Sequence, residues 1–596
     1  MPTYQAPVSD MRFLLNDFLE IGKYQNLPGF EEISPDLTDA ILSEGAKIAE
    51  EVLFPLNQSG DEEGCHFEDG AVTTPKGFKE AYKTYTEGGW AGLTADPKYG
   101  GQGLPRVMGV AFAEMTTAAN LSFGTYPGLA RGVYEAIDAH GSDEQKDAYL
   151  PKLANGEWGG TMNLTEPHCG TDLGLLRTKA EPQDDGTYRI TGTKIFISAG
   201  EHDLTENIVH LVLARITGAP AGVKGISMFI VPKFMITEHG GVGERNSAGC
   251  GSIEQKMGIK GSATCVMNYD GAIGYLIGQP NKGMRAMFTM MNDARLGVGI
   301  QGLGLSEIAY QNAAAYAKER TQGRSITGAK MPDQAADPII VHPDVRRMLL
   351  TMRAFNEGAR ALAYWMALNI DLAEKHPDEA VRQDADDLVA LMMPVVKAYL
   401  TDTGFESVNL GLQCFGGHGY IREHGMEQYV RDARITKLYE GTSGIQALDL
   451  VGRKLPRKMG RLLRQFFHPL DQFIQDSMSD PEMKEFVMPL AKSFARLQQA
   501  TAWIAEQGLK NPDQAGAASM DYLKMFGLVA LGYMWARMAK ISGAKLANGG
   551  DDHAFHERKV ALARFFMAKS LPETSSLLSK ITAGADLLMA LDADQF

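Results

Sequence analysis

The sequence predicts an α+β fold in which a β domain interrupts a chain that is otherwise helical. Two textures and one length carry that prediction. Between about residues 160 and 280, the segments GTYRITGTKIFIS, NIVHLVLARI, GISMFIVPKF and ATCVMNYDGAIGYLIG are short and rich in β-branched and aromatic residues, with Gly and Pro between them. That is the pattern of a compact, mostly antiparallel sheet rather than of βαβ units. On both sides the texture is helical, with apolar residues recurring at spacings of three and four. A chain of 596 residues is too long for one ordinary core, so several domains are expected.

Taken in order, residues 1–35 are an N-terminal extension, and 36–158 are a helical domain with Gly-rich connections such as DPKYGGQGLP. The β domain covers 159–280. A helical bundle follows over 281–455. Within DVRRMLLTMRAFNEGARALAYWMALNIDLAEK, Leu349, Met352, Phe355, Ala359, Leu362 and Trp365 form one apolar stripe at helical spacing, as a bundle helix requires. The next helix, DDLVALMMPVVKAYLTDTGFESVNLGLQ, should kink at Pro394, which has no N–H to donate. Residues 456–596, with LLRQFFHPLDQFIQ and ALARFFMAKSLPETSSLLSKI, make an additional helical domain. No internal repeat or low-complexity segment is present.

Composition narrows the partners. A hydrophobic fraction of 44% and a charged fraction of 22% are those of a soluble globular protein. A formal net charge of −15 disfavours nucleic acid or an anionic membrane as the main partner. The five cysteines (Cys65, Cys169, Cys250, Cys265, Cys414) are scattered without a CxxC pair, so free thiols in a reducing cytosol are expected, and no metal. The start, MPTYQAPVSDMRFLL, lacks the basic and apolar regions of a signal peptide. The apolar run Met525 to Ala536 falls short of the roughly 20 residues of a spanning helix and reads as a buried one. A cytoplasmic protein without a membrane span is expected.

Four motifs could carry chemistry, and each has a plain reading. Gly297, Gly299 and Gly302 in GVGIQG match G-x-G-x-x-G, but the preceding KGMRAMFTMMNDARL looks helical and no parallel-strand pattern follows. Close helix packing explains them better than a dinucleotide site. MNLTEPHCGTDLG, Met162 to Gly174, is a strand running into a turn of exposed N–H groups and hydroxyls, able to meet a flavin's polar edge or a pyrophosphate; taken alone it is an ordinary hairpin. QCFGGHGY, Gln413 to Tyr420, admits a ligand close to backbone or simply ends a helix, and His418 has no spaced partners for a metal. In RDARITKLYEGTSGIQ, Glu440 stands between Tyr439 and a small-residue turn. Singly it reads as a surface acid or a helix cap.

The motifs in series change that reading. GWAGLTADPKYGGQGL, GSDEQKDAYLPKLANGEWGG, NLTEPHCGTDLG, KIFISAG, KMGIKGSATC, KERTQGR, QCFGGHGY and RDARITKLYEGTSGIQ resemble, in this order and over roughly residues 40–450, the flavin-dependent acyl-CoA dehydrogenases. The extended N-terminus and the C-terminal helices look like the long bacterial branch, which includes enzymes acting on 3-methylthiopropanoyl-CoA. The resemblance implies FAD extended between the β domain and the bundle. It places Glu440 at the catalytic-base position. A minority branch draws the base from the residue before the arginine of NDAR, here Ala294, which cannot accept a proton. Because a free Glu titrates near about 4.3, the base is expected to be buried beside Tyr439 and the acyl chain, which strengthens it. The Glu440 N–H would bind the thioester carbonyl.

The same resemblance implies that Met162, Leu164, Thr165, Gly170 and Thr171 line the flavin ring and nearby phosphate, with Phe196 and Ser198 on its other side. Phe196 stands where the family commonly has Trp, Ser198 where it has Thr, and Met162 where an aromatic is frequent. Thr442 and Gly444 would contact the adenosine or pyrophosphate. Arg320, Gln322, Gln413, Gly416 and Gly417 would reach the FAD of a neighbouring subunit, making the active unit a homodimer or larger. Arg295 matches a residue near CoA, and Thr171, Met291, Tyr439 and Glu440 would meet the substrate. The expected reaction is α,β-dehydrogenation of a short acyl-CoA such as 3-methylthiopropanoyl-CoA, with an electron-transfer flavoprotein as acceptor. The rivals are a medium- or long-chain fatty acyl-CoA dehydrogenase, an acyl-CoA oxidase, and a flavin-containing DNA-binding protein of the same fold.

Overall fold

Seven strands build the sheet that the β-branched segments predict, in a computed structural model that describes residues 2–549 and 552–596. They are β1 (Trp158–Asn163), β2 (Lys179–Pro182), β3 (Tyr188–Ser198), β4 (Asn207–Ile216), β5 (Ile226–Pro232), β6 (Ala248–Ile253) and β7 (Thr264–Ile277). Their order is β6-β7-β3-β2-β4-β1, and β5 pairs with both β7 and β4. The pairings close β3, β2, β4, β5 and β7 into a ring, which leaves those strands no open edge. Most are antiparallel, as expected, but β1 and β2 each lie parallel to β4. The reason is legible in burial: β4 and β5 are buried along nearly their whole length, on both faces, as strands inside a covered sheet are.

This sheet belongs to a compact unit of residues 44–297. Ahead of it come α1 (Arg106–His140) and α2 (Asp143–Ala154). Helix α1 breaks at Asn120 (φ −160°, ψ 91°). The Asn120 amide replaces the lost helix bonds, accepting from Phe123 N (3.0 Å) and donating to Leu53 O (3.2 Å). Ser142 and Gln145 cap α2 reciprocally. Val133, Ile137, Leu150 and Trp158 share a core with Leu211 and Met228 of the sheet.

The second unit joins residues 1–43 to 298–596. It takes the later part of α3 (Gly283–Glu319), then α4 (Pro343–Lys375), α5 (Glu379–Phe415), α6 (Met426–Arg434) and α7 (Ser443–Asp449). Five more helices follow: α8 (Arg461–Ser477), α9 (Lys484–Lys510), α10 (Pro512–Ala547), α11 (His553–Phe565) and α12 (Thr574–Thr582). The α4 stripe is buried from Leu349 to Leu362, with Trp365 half-buried at its edge. Helix α5 continues through Pro394 as a single helix. Every residue from Leu391 to Leu400 is buried, so packing on all sides holds the helix across the one missing bond. By length and composition α5 could cross a membrane, but 72% of its apolar window is buried in protein.

GVGIQG lies inside α3, as close packing requires. A Cβ at Gly302 would come 2.5 Å from Leu400 O, and one at Gly404 would come 2.4 Å from Gly302 O. The run Met525 to Ala536 is buried within α10. Trp535 on that helix donates to Ala354 O of α4 (2.9 Å), and Gly527 admits the Tyr399 ring of α5. Residues after 455 therefore pack into the same unit as the bundle. A buried knot of three acids and three bases completes it. Asp10 accepts from Arg360 and Lys559; Lys559 also meets Glu357 (2.6 Å), Arg360 meets Glu307 (3.0 Å), and Arg353 meets Glu357 (2.7 Å). Burial alone would raise the Glu357 carboxyl, but Lys559 and Arg353 hold it at about 2. All five cysteines are free thiols.

Candidate functional site

Beyond β1 the chain forms a tight hairpin, Glu166 N donating to Cys169 O (3.0 Å) and Cys169 N to Glu166 O (2.9 Å). Lys194 of β3, wholly buried, reaches beneath it. Its Nζ donates to Leu164 O (2.9 Å) and to Glu166 Oε1 (2.9 Å). Glu166 accepts further from Arg177 N (2.7 Å), Thr178 N (3.0 Å) and Thr178 Oγ1 (2.6 Å). Burial pushes its carboxyl up, yet Lys194 and these donors together hold it at about 2, so it stays ionised. Ile195 N donates to Thr165 O (2.9 Å), and Thr161 Oγ1 to Ser198 O (2.6 Å).

Phe196 sits where the β3–β7 ladder slips. Lys194 pairs with Met267 and Ile197 with Cys265, so Ile195 and Phe196 together oppose Val266. Such a bulge re-aims a side chain. Phe196 has φ +59° and is 60% exposed. An exposed large aromatic at an unfavourable backbone angle is the kind of strain that clusters at functional sites. Met162 and Leu164 pack half-buried against the core that also holds Met291. Gly170 and Thr171 lie exposed on the hairpin, and a Cβ at Gly170 would meet nothing. The structure thus gathers Met162, Leu164, Thr165, Phe196 and Ser198 around one sheet end. On α3, Arg295 is buried, Ala294 offers no acid, and the neighbouring Asp293 is engaged by Arg106 (2.7 Å) and Arg131 (3.3 Å). Burial opposes its ionisation, but the two arginines hold its carboxyl below the usual range.

Glu440 stands in the second unit, on an arch between α6 and α7. Lys397 of α5, also wholly buried, donates to Thr436 O (2.8 Å) and Gly441 O (2.8 Å). Gln446 Nε2 donates to Glu440 O (3.0 Å), the Tyr439 hydroxyl to Gln301 Oε1, and Ser443 Oγ to Asp402 (2.7 Å). Glu440 has φ +55° and Gly441 φ +86°. At φ +86° glycine is favoured at position 441, and a Cβ there would also press on Gln446 Nε2 (2.5 Å). Burial, and then the Glu440 charge, push the Tyr439 phenol far up, and it remains a donor. Thr442 caps α7 through Ile445 N (3.2 Å), and Gly444 follows in the first turn.

Arg320, Gln322, Gln413, Gly416 and Gly417 are all exposed. The Tyr316–Phe415 stack (4.1 Å) brings the ends of α3 and α5 together, so these residues share one end of that pair. His418 bonds the Tyr316 hydroxyl (2.9 Å) and stacks on His424 (4.8 Å), a structural role. Among the described residues no group of three metal-ligating side chains occurs. Sequence reasoning missed Glu166, Lys194, Lys397 and Gln446, the residues that hold the others. One signal was available: a lone lysine within a buried apolar run, as in MMPVVKAYL and TGTKIFIS.

Family models match nearly the whole chain. The acyl-CoA dehydrogenase N-terminal domain matches residues 38–157, the middle domain 161–272 and the C-terminal domain 281–455, while an acetyl-CoA dehydrogenase C-terminal-like domain matches 466–592. A 3-methylmercaptopropionyl-CoA dehydrogenase of Ruegeria pomeroyi is 44% identical over 98% of this chain and 99% of its own length. A butyryl-CoA dehydrogenase of Syntrophomonas wolfei is 35% identical over 96% and 95%. The crystal structure of a Bacillus anthracis acyl-CoA dehydrogenase complexed with FAD superposes with a TM-score of 0.75 at 22% identity, covering 95% of this chain and 90% of that one.

Proposed function

The chain belongs to the acyl-CoA dehydrogenase family, and from that premise we propose that it is an FAD enzyme oxidising 3-methylthiopropanoyl-CoA, or a similar short acyl-CoA, to the trans-2-enoyl-CoA. One observation carries the mechanism: Glu440 is held on its arch at φ +55°, while Ala294 and the arginine-bound Asp293 leave the other candidate position without a base. Glu440 takes the α-proton, and an acyl chain laid over its carboxylate excludes water and strengthens it. Its N–H donates to the thioester carbonyl as charge develops there. The residues present suit a flavin: an exposed aromatic face at Phe196, hydroxyls at Thr165, Thr171 and Ser198, and open backbone at Gly170. FAD, when bound, supplies the acceptor for the hydride leaving the β carbon.

Thr442 and Gly444 would hold the cofactor's nucleotide end, and Met291, Arg295 and Tyr439 the acyl-CoA. The Ruegeria relative supports a sulfur-containing thioester, and the Syntrophomonas relative a butanoyl chain of the same shape. An electron-transfer flavoprotein is the proposed acceptor, and a homodimer the proposed active unit, with Arg320, Gln322, Gln413, Gly416 and Gly417 reaching the partner's cofactor. The test is anaerobic mixing of the flavin-loaded enzyme with a series of acyl-CoAs while flavin absorbance is followed. Fastest bleaching by 3-methylthiopropanoyl-CoA or butanoyl-CoA is expected; fastest bleaching by long-chain thioesters would overturn the substrate reading. Glu440→Gln should keep its yellow colour and lose about 100- to 10,000-fold in turnover.

A further inference from the structure

We propose that Lys397 is the positioning residue for the catalytic base, an inference that rests on reading Glu440 as that base. Its ammonium donates at 2.8 Å to the carbonyls of Thr436 and Gly441. The two oxygens therefore lie within twice that distance of each other, and residues 437–440 are forced out as a closed arch. Glu440 is the last residue of the arch, next to the tied carbonyl of Gly441, and its own carbonyl accepts from Gln446. A non-glycine residue at φ +55° persists only where its surroundings over-determine it. Lys397 and Gln446 supply two such ties. Neither side chain needs to touch substrate to act, because each fixes the direction in which the Glu440 Cα–Cβ bond leaves the chain.

Lys397 is also fully buried, and a lysine is rarely placed there without a task. Asp402, on the same helix, holds Ser443 (2.7 Å) and Lys437 (3.5 Å), so α5 acts as a template for the whole arch. Without the ammonium, the carbonyls of Thr436 and Gly441 lose their donor, and Glu440 can relax out of the left-handed region. The carboxylate then swings away from the α-proton, and misplacement on the order of 1 Å costs about 100-fold in rate.

The experiment compares Lys397→Met, Lys397→Arg and Glu440→Gln in the flavin-loaded enzyme, using unlabelled, α-deuterated and β-deuterated acyl-CoA. For Lys397→Met, kcat should fall about 100-fold with flavin content and KM little changed. The isotope effect on the α-deuterated substrate should rise more than that on the β-deuterated one, because only proton abstraction is impaired. Lys397→Arg, which restores two donors, should recover much of the rate. Should Lys397→Met not fold, Lys397→Gln, with a donor for one carbonyl, should show the same α-selective rise. Wild-type turnover with an unchanged α effect in either variant overturns the positioning role. Full loss in Glu440→Gln alongside full activity in Lys397→Met sinks this proposal alone, whereas full activity in Glu440→Gln sinks the base assignment and this proposal together.

Discussion

Two wholly buried lysines hold two loops in this molecule, and they do it by different means. Lys194, under the β-domain hairpin, meets a carboxylate as well as a carbonyl, and Glu166 is in turn satisfied by three donors from Arg177 and Thr178. Lys397, under the Glu440 arch, meets two carbonyls. The first arrangement neutralises charge and carries a titratable partner. The second bridges two backbone carbonyls from either end of the arch. A loop can thus be tied by a lysine that meets a carboxylate, as at Glu166, or by one that bridges backbone carbonyls, as at Gly441.

The contrast can be broken by substitution. Lys194→Met should have the largest effect on stability, about 3–5 kcal/mol, because Glu166 would stay buried without its cation; chemical denaturation measures it. Lys194→Met with Glu166→Leu should recover most of that loss, since a missing pair costs less than half of one. Lys397→Met should cost less, about 1–3 kcal/mol for carbonyls left without a donor, while losing far more activity than Lys194→Met.

The pH dependence separates the lysines further. The folded Glu166 carboxyl lies at about 2, below its ordinary 4.5, so its contribution to stability is complete above about 4.5 and drains away as pH falls towards 2. Denaturation midpoints taken across that window should lose this component in Lys194→Met and keep it in Lys397→Met. The smallest effect is expected at Phe196. Phe196→Gly relieves the left-handed backbone and should stabilise the flavin-free protein by about 1 kcal/mol, while lowering flavin content on gel filtration. A destabilised Phe196→Gly would show that the exposed ring packs usefully without a ligand.

Much of the architecture was legible before the structure. Strand segments, the α4 stripe and the packing role of Gly302 follow from local pattern, because burial of one face leaves a period in the sequence. That α5 continues unbroken through Pro394 was not legible, since the residues that bury it come from distant helices. The parallel pairing of β1 and β2 with β4 was invisible for the same reason. Glu440 stood out only within a series of motifs. Its backbone angle, and that of Phe196, are set by Lys397 and by the ladder slip opposite Val266, contacts that span tens of residues and leave no periodic trace.

The six-charge knot has a consequence for how the chain is made. Its acid Asp10 and Lys559, one of the two cations that Asp10 meets, are 549 residues apart in the chain. Residues 44–297 are contiguous, so that unit can mature while synthesis continues, in the usual order for multidomain chains. The full set of ion pairs around Asp10 can close only after Lys559 has been made.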